Sequence, residues 1–188
     1  MAKIILGLVG QAGCGKGTMA DLLVKKYGAA YFRFSNILGD ILKRLSLEKT
    51  RDNLIKISGA LRQTFGEDIL SYVLEKDAIL APEEVIVVDG IRRAEDIAAL
   101  EPSPYFKLIA IDADPKLRFE RMKKRGEKAG ESNMTWEQFL AEEQRETEVT
   151  IPMVMARAAV TIDNNGSREE FERRVRAMIQ KIGFLEKS

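Results

Sequence analysis

Apolar residues in this chain fall into two patterns, short unbroken runs and longer stretches with helical spacing. The runs are Ile4-Ile5-Leu6-Gly7-Leu8-Val9, Val85-Ile86-Val87-Val88 and the segment from Phe106 to Ile111. Runs of this length without polar alternation predict strands buried on both faces of a parallel sheet. Ala29 to Phe34 and Ala158 to Ile162 predict two further short strands. Between them the apolar positions recur at helical spacing. Ala20, Leu23, Val24 and Tyr27 mark one face of a first helix, which Gly28 ends. Ser35 is expected to cap a helix through Ile37, Leu38, Ile41, Leu42 and Leu45. Thr50 starts another with Leu54, Ile57, Leu61 and Phe65 inward, and Asp68 opens one carrying Ile69, Leu70, Val73 and Leu74.

In the second half, a helix to about Leu100 is expected after Asp89-Gly90-Ile91-Arg92-Arg93. Asp114-Pro115 predicts a capped helix start, with the next helix running to about Arg125 and stopping near Gly126. Gly126 to Asn133 is polar and reads as mobile. Thr135 with Gln138 forms a capping box for a helix to about Glu148, and Pro152 is expected to break the helical pattern beyond it. Ser167 with Glu170 forms a second box, opening a helix with Phe171, Val175, Met178, Ile179 and Ile182 inward. Strands alternating with helices predict an α/β fold with helices on both faces of a central parallel sheet. Ligands then bind at the carboxyl ends of the strands. The glycine stretch after Val9, Asp89 and the turn at Asp163-Asn164-Asn165-Gly166 all fall at such ends. The 188 residues fit one domain, 1–188.

Composition narrows the chemistry. Hydrophobic residues make up 45%, enough for a sizeable core without disulfides, and the one cysteine, Cys14, has no internal partner. That favours a reducing compartment, the cytoplasm. With no histidine in the chain, histidine catalysis and histidine metal sites are excluded. A net charge of +1 gives no reason to expect nucleic acid or an anionic membrane as partner. No apolar run approaches the ~20 residues of a membrane span, and no signal-peptide pattern is expected at the N-terminus. Charge is segregated locally, with seven basic and two acidic residues from Pro115 to Lys128, then five acidic and one basic from Glu137 to Glu148.

The strongest chemical signal is Gly10-Gln11-Ala12-Gly13-Cys14-Gly15-Lys16-Gly17-Thr18, between the first strand and first helix. Strand, glycine loop and helix together form the context of a phosphate-binding loop. Its amides and the positive end of the next helix point at phosphate oxygens. Lys16 is placed to reach β- and γ-phosphates and the Thr18 hydroxyl to hold Mg2+. Cys14 reads as a small residue fitting the loop, with a reactive thiol as the alternative. Serine or threonine is usual directly after the lysine, but Gly17 stands there. The Gly-Lys-Gly-Thr ending resembles adenylate kinase and related nucleoside-monophosphate kinases of the P-loop class. That resemblance spans nearly the whole chain. It implies a P-loop NTPase-type three-layer αβα sandwich with a helical acceptor-binding region at about 35–80 and a short lid at about 126–148.

Carried over motif by motif, Asp89-Gly90-Ile91-Arg92 resembles the Asp-Gly-Phe-Pro-Arg of adenylate kinases, without the proline. The resemblance implies that Arg92, or alternatively Arg93, grips the acceptor phosphate; the spacing favours Arg92. Asp89, ending an apolar strand, suits a water-mediated Mg2+ contact; the alternative for this motif is helix capping by Asp89 with a solvated arginine pair. Arg118, Arg121 and Arg125 share a helix face by their spacing. Arg121-x-x-x-Arg125 resembles the entry to the kinase lid, whose arginines stabilise the transferring phosphoryl group, with Arg145 a further candidate donor; the alternative is a solvated basic helix neutralised by the five acids that follow. Arg62, within Ser58 to Gly66, resembles an acceptor-region arginine of deoxynucleoside-monophosphate kinases, with Ser35 and Arg44 as neighbouring candidates. The alternative is a solvated arginine beside an apolar stripe. Asn164, Asn165 and Gly166 match the loop that lies against the nucleotide base in this superfamily, or form a plain turn. The implied activity is ATP- and Mg2+-dependent phosphoryl transfer to a small-molecule acceptor, a nucleoside or deoxynucleoside monophosphate. Two alternatives stand beside it. The Ile162 to Ser167 segment also resembles dephospho-coenzyme A kinase, although Phe34-Ser35-Asn36 lacks that family's acidic motif. A nucleotide-dependent switch or assembly ATPase is the other, and the guanine-specifying Asn-Lys-x-Asp is absent.

Overall fold

A computed structural model describes residues 3–126 and 131–186. Five strands form the sheet: β1 (Ile4–Val9), β2 (Ala30–Arg33), β3 (Val85–Asp89), β4 (Phe106–Asp112) and β5 (Val160–Asp163). All pair in parallel, in the order β2-β3-β1-β4-β5. Around them run α1 (Lys16–Tyr27), α2 (Phe34–Arg44), α3 (Arg51–Phe65), α4 (Ile69–Leu80), α5 (Pro115–Arg125), α6 (Trp136–Glu143), α7 (Glu146–Val149), α8 (Ile151–Met155) and α9 (Arg168–Lys181).

Every residue of β1 and β3 is buried, as strands covered on both faces must be. The two-residue strand period divides the core into two layers. Leu6, Leu8, Val87, Ile109 and Ile111 pack with Leu23 and Tyr27 of α1 and with Phe171, Val175 and Ile179 of α9. Ile5, Val9, Ile86, Val88 and Leu108 pack on the other face with Leu38, Leu70, Leu74, Ile151 and Val154. This is the expected three-layer αβα sandwich around a parallel sheet. Gly28 ends α1 in a left-handed conformation, and both capping boxes form.

Several local expectations are corrected. Ser35 does not cap α2: the helix starts at Phe34, which is buried, directly after β2, with Arg33 in the cap position and no side-chain cap. Val24 and Phe65 are exposed, because α1 buries Met19 and Leu22 instead, while α3 packs only through Leu54, Ile57 and Leu61 before turning at Gly66. The helix expected after Arg93 is a single 3-10 turn, Ala94–Ile97, after which main-chain turns drop Leu100 into the core. The helix expected to Glu148 breaks after Glu143, where extended backbone at Arg145 starts α7. Pro152 lies in the first turn of α8, where its missing N–H costs nothing, so it opens a helix. Of the stretch expected to be mobile, Glu131–Asn133 forms a 3-10 turn with Glu131 buried; 127–130, also part of the expected lid, lie outside the described residues.

Candidate active site

The glycine loop leaves β1 and is gripped on two sides. Gly13 has φ +77°, and a Cβ there would sit 2.6 Å from the Arg118 carbonyl oxygen of α5. Gly15 has φ +113°, and its Cβ would meet Asn164 Nδ2 at 2.3 Å. No side chain fits at either position. Buried Asn164 donates to the Cys14 carbonyl at 2.8 Å, holding the loop from beneath. At Gly17 a Cβ would meet nothing within 4 Å, so packing does not require the glycine that replaces the usual hydroxyl residue. Lys16 Nζ donates to the carbonyls of Gly10 and Gln11.

Lys16 and Thr18 line a cavity of about 810 Å³, together with Gly10, Ala12, Gly13, Gly15 and Gly17. Gln11 and Cys14 do not. The Gln11 amide donates to Glu143 Oε1 at 3.0 Å, and Cys14 is packed into the core.

The strand ends supply the opposite edge of the cavity. Asp89 is buried, with Oδ1 accepting the Gly90 amide and Oδ2 the Tyr31 hydroxyl, each at 2.7 Å. Burial first, then the Asp89 carboxylate, pushes the Tyr31 phenol well up from its ordinary pKa, so it stays a donor. Arg92 lines the cavity and pairs with Glu148 at 3.2 Å, while Arg93 turns away to Glu67 at 3.3 Å. Of the two arginines considered, Arg92 is the one on the cavity.

The turn that carries Arg92 is built by a residue with no signal of its own in the sequence. Buried Asp96 accepts the amides of Arg92 and Arg93 at 2.9 and 3.0 Å, and pairs with Arg62 at 2.6 Å. Arg62 is thereby buried in an ion pair, bonded also to the Glu67 carbonyl, and does not reach the cavity. Ser35 and Arg44 do not line it either; Arg44 is exposed in the last turn of α2.

The arginines of α5 do not act as one face. Arg118 is 2% exposed and paired with Glu143; it donates to the Ala113 and Ala12 carbonyls at 3.0 and 3.3 Å and packs over Phe139. Arg121 lines the cavity with its Nη1 buried and, among the described residues, without a hydrogen-bond partner, and burial pushes its pKa down. Arg125 lines the cavity and pairs with Glu131 at 3.0 Å. Arg145 pairs with Glu142. Beyond the β5 turn, Asn164 lines the cavity, but Asn165 and Gly166 do not. Asn165 Oδ1 accepts the Asp114 amide at 2.7 Å, tying the two loops together. Sequence reasoning missed Tyr31, Arg33, Lys124, Glu148 and Arg168, all of which line the cavity. Lys124 and Glu148 lie in the charge-segregated stretches of the sequence, whereas Tyr31, Arg33 and Arg168 are marked there only by their place in or next to a short strand or a helix start.

Thr18 and Asp89 offer hard oxygen donors of the kind Mg2+ takes alongside nucleotide phosphates. Among the described residues no group of three acidic, cysteine or histidine side chains would hold a metal without such help, and no helix is long and apolar enough to cross a membrane.

The strand order, the glycine loop and the cavity at the carboxyl edge define a protein of the P-loop kinase fold. A family model described as an AAA domain matches residues 9–140. The UPF0200 protein TK1334 of Thermococcus kodakarensis is 32% identical over 188 residues, covering 95% of this chain and 98% of that one. The chain belongs to the AAA domain family and to the UPF0200 proteins. Among solved structures, shikimate kinase from Bacteroides thetaiotaomicron superposes with a TM-score of 0.63 at 14% identity, over 95% of this chain and 98% of the other. Dephospho-CoA kinase from Campylobacter jejuni gives 0.58 at 19% identity, over 97% and 98%. At these identities the likeness is one of fold.

Proposed function

We propose that this protein is a phosphotransferase that moves the γ-phosphoryl group of ATP, with Mg2+, to a nucleoside or deoxynucleoside monophosphate. One observation carries the choice of acceptor. The edge of the cavity formed by the ends of β2 and β3 presents two arginines, Arg33 and Arg92. Asp89 accepts from Gly90 and Tyr31, and Glu148 pairs with Arg92. A phosphate monoester brings its own anionic oxygens, and a pair of guanidinium groups suits them.

Loop amides and Lys16 hold the donor's β- and γ-phosphates, and Thr18 and Asp89 the metal, which offsets charge building on the phosphates. Gln11, Ala12 and Cys14 contribute backbone to the loop, and Asn164 fixes its shape. Arg92 holds the acceptor, positioned by Asp96 and Arg62, while Arg121 and Arg125 face the transferring group. The acceptor region at about 35–80 and the lid at about 126–148 belong to this reading, as does a cytoplasmic location. An ADP-release assay over ribo- and deoxyribonucleoside monophosphates and dephospho-coenzyme A tests it. Monophosphate-dependent, stoichiometric ADP supports the kinase. Slow ADP release indifferent to every acceptor would instead indicate a nucleotide-dependent switch.

Two substitutions probe the assignments. Thr18→Ala should shift the Mg2+ dependence of activity more than nucleotide affinity, since the loop amides still bind the phosphates. An unchanged Mg2+ titration would remove Thr18 from the metal site. Arg92→Lys keeps the charge and loses the planar fork, so the acceptor's KM should rise roughly tenfold or more with little change for ATP. A rise in the ATP constant alone would place Arg92 on the donor side.

A further inference from the structure

Arg33 has no role in the resemblance. It is the last residue of β2, and the parallel register sets it directly against Asp89 at the end of β3. Both side chains therefore leave the sheet at its carboxyl edge, and both line the cavity. Its stem runs along Gly90: a Cβ built on that glycine would lie 3.6 Å from Arg33 Cγ. Arg33 Nε stands 3.7 Å from Asp89 Oδ2, whose close contact is already taken by the Tyr31 hydroxyl at 2.7 Å. Asp89 thus orients the guanidinium by charge without using up its donors. Among the described residues the Arg33 side chain, half-exposed, makes no hydrogen bond. Arg92, its neighbour on this edge, is already paired with Glu148.

We infer that Arg33 is a substrate-binding residue that receives the acceptor's phosphate and sets the preference for an anionic acceptor. The inference rests on the phosphotransferase reading and deepens it. A guanidinium offers five donors in a planar fork suited to phosphate, and those of Arg33 face the cavity unspent. Arg92 lies 3.2 Å from its carboxylate partner and Arg33 3.7 Å from its own, so Arg33 is the less closely held of the two.

The test uses wild type, Arg33→Gln and Arg33→Lys, with whichever nucleoside monophosphate gives wild type its highest ADP yield. Arg33→Gln should raise that acceptor's KM by roughly tenfold or more, the usual worth of a charge-assisted contact. Arg33→Lys should fall between it and wild type. The KM for ATP and the melting temperature should stay close to wild type, which separates binding from a structural role. An unchanged acceptor KM, or a rise confined to ATP, overturns the role of Arg33 and leaves the kinase reading standing. If wild type shows no monophosphate-dependent ADP release at all, the kinase reading fails and takes Arg33's role with it. Should Arg33→Gln fold poorly, a raised acceptor KM in folded Arg33→Lys supports the inference and an unchanged one overturns it.

Discussion

Arg121→Met should lower turnover by roughly 10³–10⁵-fold, the range for arginines that stabilise a transferring phosphoryl group, and should at the same time make the protein more stable. The two effects have one cause. Arg121 projects from α5 into the cavity with a buried Nη1 that finds no acceptor among the described residues, and burial already pushes its pKa down. Leaving a buried donor unsatisfied costs about 1–3 kcal/mol, the lower end applying to a group only partly withdrawn from water. Methionine keeps most of the volume and removes the cost. A gain near 1 kcal/mol corresponds to roughly 2–4 °C in melting temperature for a chain of this size. Phosphoryl oxygens at the site would supply the missing acceptor, most strongly in the transition state, so kcat should fall more than nucleotide affinity. Calorimetry and steady-state kinetics on the same preparation decide it. Retained turnover, or a lowered melting temperature with a loss spread evenly over kcat and nucleotide binding, would make Arg121 structural.

Lys16→Ala should cost about 10²–10³-fold or more in turnover while leaving the fold in place. Lys16 now donates to the carbonyls of Gly10 and Gln11, at the cavity wall. Removing the ammonium leaves those carbonyls to water, a loss of about 1 kcal/mol, or roughly 2–4 °C. The loop itself is held by other means, the packing of Gly13 on α5 and of Gly15 on Asn164. Nucleotide binding should therefore weaken less than catalysis, because the amides still face the phosphates. Circular dichroism and acceptor-dependent ADP release on the variant are the measurements. Near-normal turnover in folded Lys16→Ala protein would defeat the phosphate-loop assignment.

The strands, the glycine loop, the caps at Thr50, Asp114, Thr135 and Ser167 and the parallel sheet were all readable in the chain. Each depends on residues within a few positions of one another, where burial on both faces, left-handed backbone or a reciprocal hydrogen bond leaves a local pattern. Arginine partners leave none. Arg62, Arg118 and Arg121 look alike in sequence. In the structure one is tied to Asp96, one to Glu143, and one has a donor with no partner among the described residues. Those partners lie 34 and 25 residues away, and Gln11 meets Glu143 across 132. What the chain settled locally was therefore where the glycine loop and its lysine sit. Which cations face that place was decided by long-range packing: the register that sets Arg33 beside Asp89, and the helix break after Glu143 that places Glu143 on the loop and Glu148 on Arg92. A charge in a low-dielectric interior must be paired, and the fold decides which arginines are used up in pairing before any ligand arrives.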